Sequence, residues 1–221
     1  MAPLTIIYLS MHNFPSYLLD GYNRFLSRRY SGERERYIDL AEKGQKPKTM
    51  VIACCDSRAA PETIFECGPG ELFVLRNVAN LVPHFEPDAG RHGTSAAIEF
   101  AVQVLKVKNI VVMGHGRCGG INAALNPAGE PLAPGDFIGK WLNLLKPVAK
   151  QFPDNGLLTP GERQTMFERI SIRNSIKNLR SFPYIAALEA EGALKVHGAW
   201  FDIKTGELWI MDPQSEEFER P

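Results

Sequence analysis

Apolar residues recur at helical spacing along residues 14–43, FPSYLLDGYNRFLSRRYSGERERYIDLAEK, and this predicts two amphipathic helices separated at Ser31-Gly32. The pattern then changes period. TMVIAC, ELFVLRN and NIVVMGH are short β-rich apolar runs, the second introduced by the turn signal CGPG, and each suits a buried strand. SAAIEFAVQVLKV reads as a helix with Thr94 or Ser95 as its N-cap. GGINAAL opens a further helix, which NPAGEPLAPG ends, and FIGKWLNLLKPVAKQF is amphipathic. GERQTMFERISIRNSIKNLRSF is strongly helical up to Pro183, with a short helix after it. LKVHGAWFDIKTGELWIMD reads as a strand, a Lys-Thr-Gly turn and a returning strand. Strands alternating with helices predict an α/β fold: a central, mostly parallel sheet flanked by helices, an antiparallel edge strand and an N-terminal helical arm. With no internal repeat and no low-complexity linker, residues 1–221 read as a single domain. Residues 13–44 form its helical arm. Residues 1–12 read as an extension or disordered tail, because MHNFPSYLLDGYNRF, opening at Met11, is the more natural start.

Composition narrows the function classes. Lys plus Arg and Asp plus Glu are both 25, so the chain lacks the electrostatic footprint of a nucleic-acid binder. No apolar stretch approaches the roughly 18 residues of a membrane span, and LTIIYL lacks the basic flank and cleavage site of a signal peptide. Four cysteines in a chain of this kind point to reduced thiols or metal ligands and to the cytoplasm.

Two of those cysteines are adjacent, in MVIACCDSR. In an extended segment side chains alternate faces, so Cys54, Asp56 and Arg58 share a side and Cys55 faces the other way, packed behind the sheet. The end of the third strand, GHGRCGG, supplies His115 and Cys118. Strand ends at one edge of a parallel sheet are where open α/β folds build their sites. Cys54, His115 and Cys118 together make a three-ligand set with one exchangeable position, a known catalytic zinc arrangement. Thiolates and imidazole favour zinc over hard cations. Arg58 can hold the Asp56 carboxylate bidentately and keep it off the metal. Asp56 then accepts a proton from zinc-bound water, whose pKa the ion lowers to about 7.

The residues CCDSR, PGELFVLRNVANLVP and SAAIEFAVQVLKVKNIVVMGHGRCGGI, in this order, resemble the β-class carbonic anhydrases from about Gln45 to Asp212. The resemblance implies zinc, one per chain, on Cys54, His115 and Cys118, with Asp56 and Arg58 as the catalytic dyad. It implies reversible hydration of carbon dioxide to bicarbonate and a proton by a zinc-bound hydroxide. It implies a homodimer or larger homo-oligomer, with the N-terminal helices wrapping a partner and the pocket built by two subunits. For the pocket it implies Gln45, Phe73 and Val78, the backbone N–H of Gly119, and Phe100 where the plant-like branch has tyrosine. Another branch closes its site with bicarbonate using a tryptophan at the position of Val51. Although Arg76 matches that branch's arginine, the valine predicts no such switch.

Competing readings are weaker. Gly114 to Gly119 matches G-x-G-x-x-G, but no strand ending in an acidic residue follows about 20 positions on, as dinucleotide binding requires. A closed, non-catalytic zinc site has no need of an arginine orienting Asp56. Hydrolysis of carbon disulfide or carbonyl sulfide by the same ligand set is left open, since access to the pocket decides it. His12, His84, His92 and His197 read as surface or hydrogen-bonded histidines, Cys67 as a thiol without a role, and the three tryptophans as packing.

Overall fold

The computed structural model describes residues 14–88, 90–125, 136–152 and 154–221, so the expectations for residues 1–12 and for NPAGEPLAPG lie outside the described residues. The chain divides into two compact units, one ending at Gln45 and one running from Lys46 to Pro221.

The first unit holds helices α1 (Ser16–Arg24) and α2 (Ser31–Lys43). The expected separation at Ser31-Gly32 is corrected: the distortion is a π-helical stretch over Phe25–Tyr30, and α2 starts at Ser31 with helical backbone on both sides. One Gly in a helix costs only about 1 kcal/mol, which neighbouring turns absorb. Phe25, Tyr30 and Tyr37 pack together with centroids 5.2–6.0 Å apart, Phe25 and Tyr37 edge to face and the other two pairs tilted. No side chain of these helices is buried.

The second unit begins with β1 (Thr49–Cys54), followed by the short α3 (Pro61–Ile64), β2 (Leu72–Asn77), α4 (Gly93–Glu99) and β3 (Asn109–His115). Next come α5 (Gly119–Leu125), α6 (Phe137–Leu142), α7 (Lys146–Lys150), α8 (Pro160–Leu179) and α9 (Pro183–Ala190), and then β4 (Lys195–Phe201), β5 (Leu208–Met211) and β6 (Phe218–Glu219). The six strands are ordered β2-β1-β3-β4-β5-β6. The first four are parallel; β5 and β6 are antiparallel. The sequence pattern misses β6, because a two-residue strand has no period.

The central strands are apolar throughout because both faces are covered. Met50, Ile52, Ile110 and Val112 pack with Ile98, Ile172, Ile176 and Phe182 on one side, and Val51, Ala53, Met113 and Ala199 form a smaller cluster on the other. Two helical expectations are revised. The N-cap of α4 is His92, with no side-chain cap bond, since the Thr94 hydroxyl meets the Asn77 amide at 3.4 Å instead. The run FIGKWLNLLKPVAKQF is two short helices joined by a 3₁₀ turn at Asn143–Leu145, where Pro147 falls in the first turn of α7.

Candidate metal centre

Parallel pairing sets Ala53 beside Met113, so Cys54, one residue on, and His115, two residues on, finish neighbouring strands at the same sheet edge. The turn after β3 is made by Arg117, whose φ of 60° reverses the chain and brings Cys118 back over the strand ends before α5 begins. The Sγ atoms of Cys54 and Cys118 and a ring nitrogen of His115 thereby lie within 4.8 Å of one another, all three side chains buried.

This cluster fits a tetrahedral thiophilic cation. Two sulfurs bound about 2.3 Å from one tetrahedral ion stand about 3.8 Å apart; here they are 3.9 Å apart. His115 Nδ1 donates to the Gly116 carbonyl at 2.9 Å, which assigns the proton to Nδ1 and leaves the buried Nε2, without a hydrogen-bond partner, as a lone-pair donor. The Cys118 hydrogen bond pulls the Cys54 thiol down while burial opposes it, and the same contact with burial pushes Cys118 up. A bound cation overrides that split, since coordinated thiols are deprotonated outright.

Around the cluster the backbone is unusually constrained. Ala79 (φ 65°) and Asn80 (φ 48°) are consecutive left-handed residues with side chains, a conformation costing about 1–2 kcal/mol each, and the Ala79 N–H points at Cys54 Sγ from 3.4 Å. Arg76 donates to the Cys54 carbonyl at 2.8 Å and the Asp56 carbonyl at 2.7 Å, fixing the exit of β1.

Asp56 lies beside the cluster, its Oδ2 3.8 Å from His115 Nε2. Arg58 holds the carboxylate with Nε on Oδ1 at 2.9 Å and Nη2 on Oδ2 at 2.7 Å, while the Arg58 backbone N–H adds a third bond at 3.0 Å. These bonds hold the Asp56 carboxyl well below the usual carboxylate range. Arg58 also reaches the Arg117 carbonyl at 3.3 Å, tying the dyad to the turn that carries Cys118.

The expectation for Cys55 is corrected. The strand ends at Cys54, so alternation stops there, and Cys55 is exposed. It lines a cavity of about 600 Å³ shared with Asn77, Val78, Pro83, His92 and Trp141. Trp141 Nε1 donates to the Val78 carbonyl at 2.8 Å and holds that wall. Gly119 opens α5, and a Cβ there would meet nothing within 4 Å, so its backbone is open to a small molecule.

Not every expected pocket residue converges within one chain. Phe73 pairs with Met50, four positions before the Cys54–Asn77 pair, which is about 13 Å along the strand. Phe100 lies with Phe73, ring centroids 5.8 Å apart, and is 44% exposed. Gln45 is exposed in the first unit.

Sequence reasoning missed Gln164 and Glu168. Glu168, 2% exposed, shares the helical phase of Ile172, Ile176 and Leu179 on α8, and that phase was the available signal. Burial raises the Glu168 pKa, opposed by bonds from Cys118, Trp200 and Gln164.

Fold and site together define an α/β protein with a buried Cys₂His cluster suited to a metal ion at the carboxyl edge of parallel strands, flanked by an Asp–Arg pair. The family model described as carbonic anhydrase matches residues 49–208, and the chain belongs to that family. A carbonic anhydrase of Pseudomonas aeruginosa is 34% identical over 91% of this chain and 89% of its own. β carbonic anhydrase 5 of Arabidopsis thaliana, a chloroplastic protein, is 37% identical over 85% of this chain, which spans 62% of the plant protein. Among solved structures, the β-carbonic anhydrase CcaA superposes with a TM-score of 0.85 at 30% identity, covering 93% of this chain and 91% of that one. A tetrameric β-carbonic anhydrase of Sordaria macrospora gives 0.75 at 32%, covering 89% and 95%. The fold is that of the β class.

Proposed function

We propose that this chain catalyses the reversible hydration of carbon dioxide to bicarbonate and a proton, with zinc held by Cys54, His115 and Cys118. The observation that carries the reading is the convergence of two sulfurs 3.9 Å apart and an unbonded imidazole nitrogen beside a carboxylate 3.8 Å away. Zinc in that set supplies a Lewis acid that lowers the pKa of water to about 7 and makes hydroxide available at neutral pH. Asp56, kept ionised and turned aside by Arg58, is the group that takes the proton. Val78 offers the apolar wall against which carbon dioxide lies, and the Gly119 N–H donates to an oxygen of the substrate.

Phe73, Phe100 and Gln45 reach the pocket from a second subunit, which accounts for the distance of the two rings from the metal centre within one chain. A homo-oligomer agrees with the first unit, where Tyr17, Leu18, Leu19 and Tyr22 are all between 39% and 70% exposed, and with the tetrameric assembly of the Sordaria relatives. No helix among the described residues is long and apolar enough to cross a membrane; the reading places the protein in the cytoplasm.

Stopped-flow carbon dioxide hydration near pH 8.5, with zinc content measured on the same sample, tests the reading. Fast turnover that disappears with the metal supports it. One zinc per chain without hydration at any pH sinks it in favour of a structural metal or a carbon–sulfur substrate.

A further inference from the structure

Besides the three ligands, Glu168 is the buried polar group most closely tied to the metal centre. Its Oε1 accepts from the Cys118 N–H at 3.0 Å and from Gln164 Nε2 at 3.0 Å, and its Oε2 accepts from Trp200 Nε1 at 3.0 Å. Gln164 Nε2 also donates to the Cys118 carbonyl at 3.1 Å. One i,i+4 pair on α8 therefore grips both backbone polar groups of a metal ligand, immediately after the left-handed Arg117.

All three groups facing Glu168 are donors; its two carboxyl oxygens accept from all of them, whereas an amide in its place would turn an N–H₂ toward one. Cys118 cannot change its backbone angles without breaking bonds on both sides.

We propose that Glu168 and Gln164 are positioning residues that lock Cys118 in ligand geometry. The inference rests on the metal-centre reading above. It is tested by zinc affinity of the full chain, measured by competition with a chromophoric chelator, beside the thermal midpoint of the metal-free protein. Glu168→Gln keeps the shape but turns an amide N–H₂ toward the Trp200 N–H, so the side chain cannot hold Trp200 and Cys118 together. Its zinc dissociation constant is expected to rise by about 10–100-fold, the usual effect of losing a group that orients a ligand, and the cobalt-substituted protein is expected to show a shifted sulfur-to-metal absorption band. Affinity within twofold of wild type, with an unshifted band, overturns the proposal. Should Glu168→Gln not fold, Gln164→Met tests the same clamp from its other side, because it frees the Cys118 carbonyl. A wild-type chain that holds no zinc defeats the metal-centre reading first, and is thereby told apart from failure of the clamp.

Discussion

Oδ2 of Asp56 and Nε2 of His115 stand 3.8 Å apart, too far to bond, with the imidazole nitrogen unpartnered and the carboxylate turned into the fork of Arg58. In the proposed mechanism the carboxylate exchanges a proton through one water, and Arg58 keeps it off the metal.

Arg58→Ala should lower kcat by at least about 10²-fold, the usual worth of a positioned acid–base group, with zinc stoichiometry intact. Arg58→Lys should recover little, since an ammonium cannot reproduce the planar two-point grip. Stopped-flow rates with zinc analysis on both variants check this; wild-type turnover in Arg58→Ala removes Asp56 from the proposed mechanism.

The two neighbouring sulfurs should behave oppositely. Cys55→Ser is expected to retain stoichiometric zinc and near-normal hydration, because Cys55 faces a cavity and not the cluster. Cys54→Ser should lose zinc at micromolar protein, replacing a buried thiolate with a hydroxyl that binds zinc far more weakly. Metal analysis after gel filtration decides; zinc loss from Cys55→Ser would reverse the assignment.

How far the chain announced this arrangement depends on how local each cause is. TMVIAC and NIVVMGH become β1 and β3 with the bounds expected of them, because a strand covered on both faces must be an unbroken apolar run. Cys54, His115 and Cys118 were legible because strand ends converge on one edge once the sheet is parallel. Cys55 was misplaced because alternation holds only while the chain stays extended. The left-handed pair Ala79–Asn80 carries no glycine to mark it. The hold of Gln164 and Glu168 on Cys118 spans 46 and 50 residues, a relationship that no local pattern encodes.

Gly120 lies where α5 passes under the Val78–Ala79 segment: an added Cβ would sit 3.0 Å from Val78 Cγ1 and 3.1 Å from the Ala79 Cβ. Gly120→Ala should gain up to about 1 kcal/mol in helix propensity but lose about 1–3 kcal/mol to overpacking. Net destabilisation with reduced turnover is expected, since the displaced segment carries the apolar wall and the N–H facing Cys54. Thermal melts and hydration rates read both effects, and a more stable, fully active variant would show that the contact yields freely.

His197 gives a pH dependence away from the metal. Burial, reinforced by the charge of Lys195, lowers its pKa, and its Nε2 lies 3.3 Å from the Asn109 amide oxygen. The folded chain thus favours neutral imidazole, and between the folded pKa and the ordinary value near 6.5 the unfolded chain binds more protons. This contribution is complete above that ordinary value and is lost as pH falls through the folded pKa. Urea melts from pH 5 to 8 should show wild-type stability declining on the acid side more steeply than His197→Asn; parallel profiles would refute it.

The last expectation concerns the start of α8, the helix that carries Gln164 and Glu168. Thr159 and Glu162 form a reciprocal capping box: the Glu162 N–H donates to the Thr159 hydroxyl at 3.3 Å, and the Thr159 N–H donates to the Glu162 carboxylate at 2.9 Å. Thr159→Ala leaves a helix N–H unsatisfied and should cost about 1 kcal/mol. Because Gln164 and Glu168 lie one and two turns further along, fraying that reaches Gln164 should accelerate amide exchange at Cys118 as well as at the helix start. Hydrogen exchange on the variant distinguishes the cases: faster exchange at residues 160–163 alone confines the cap to helix stability, and faster exchange at Cys118 ties the cap to the metal loop.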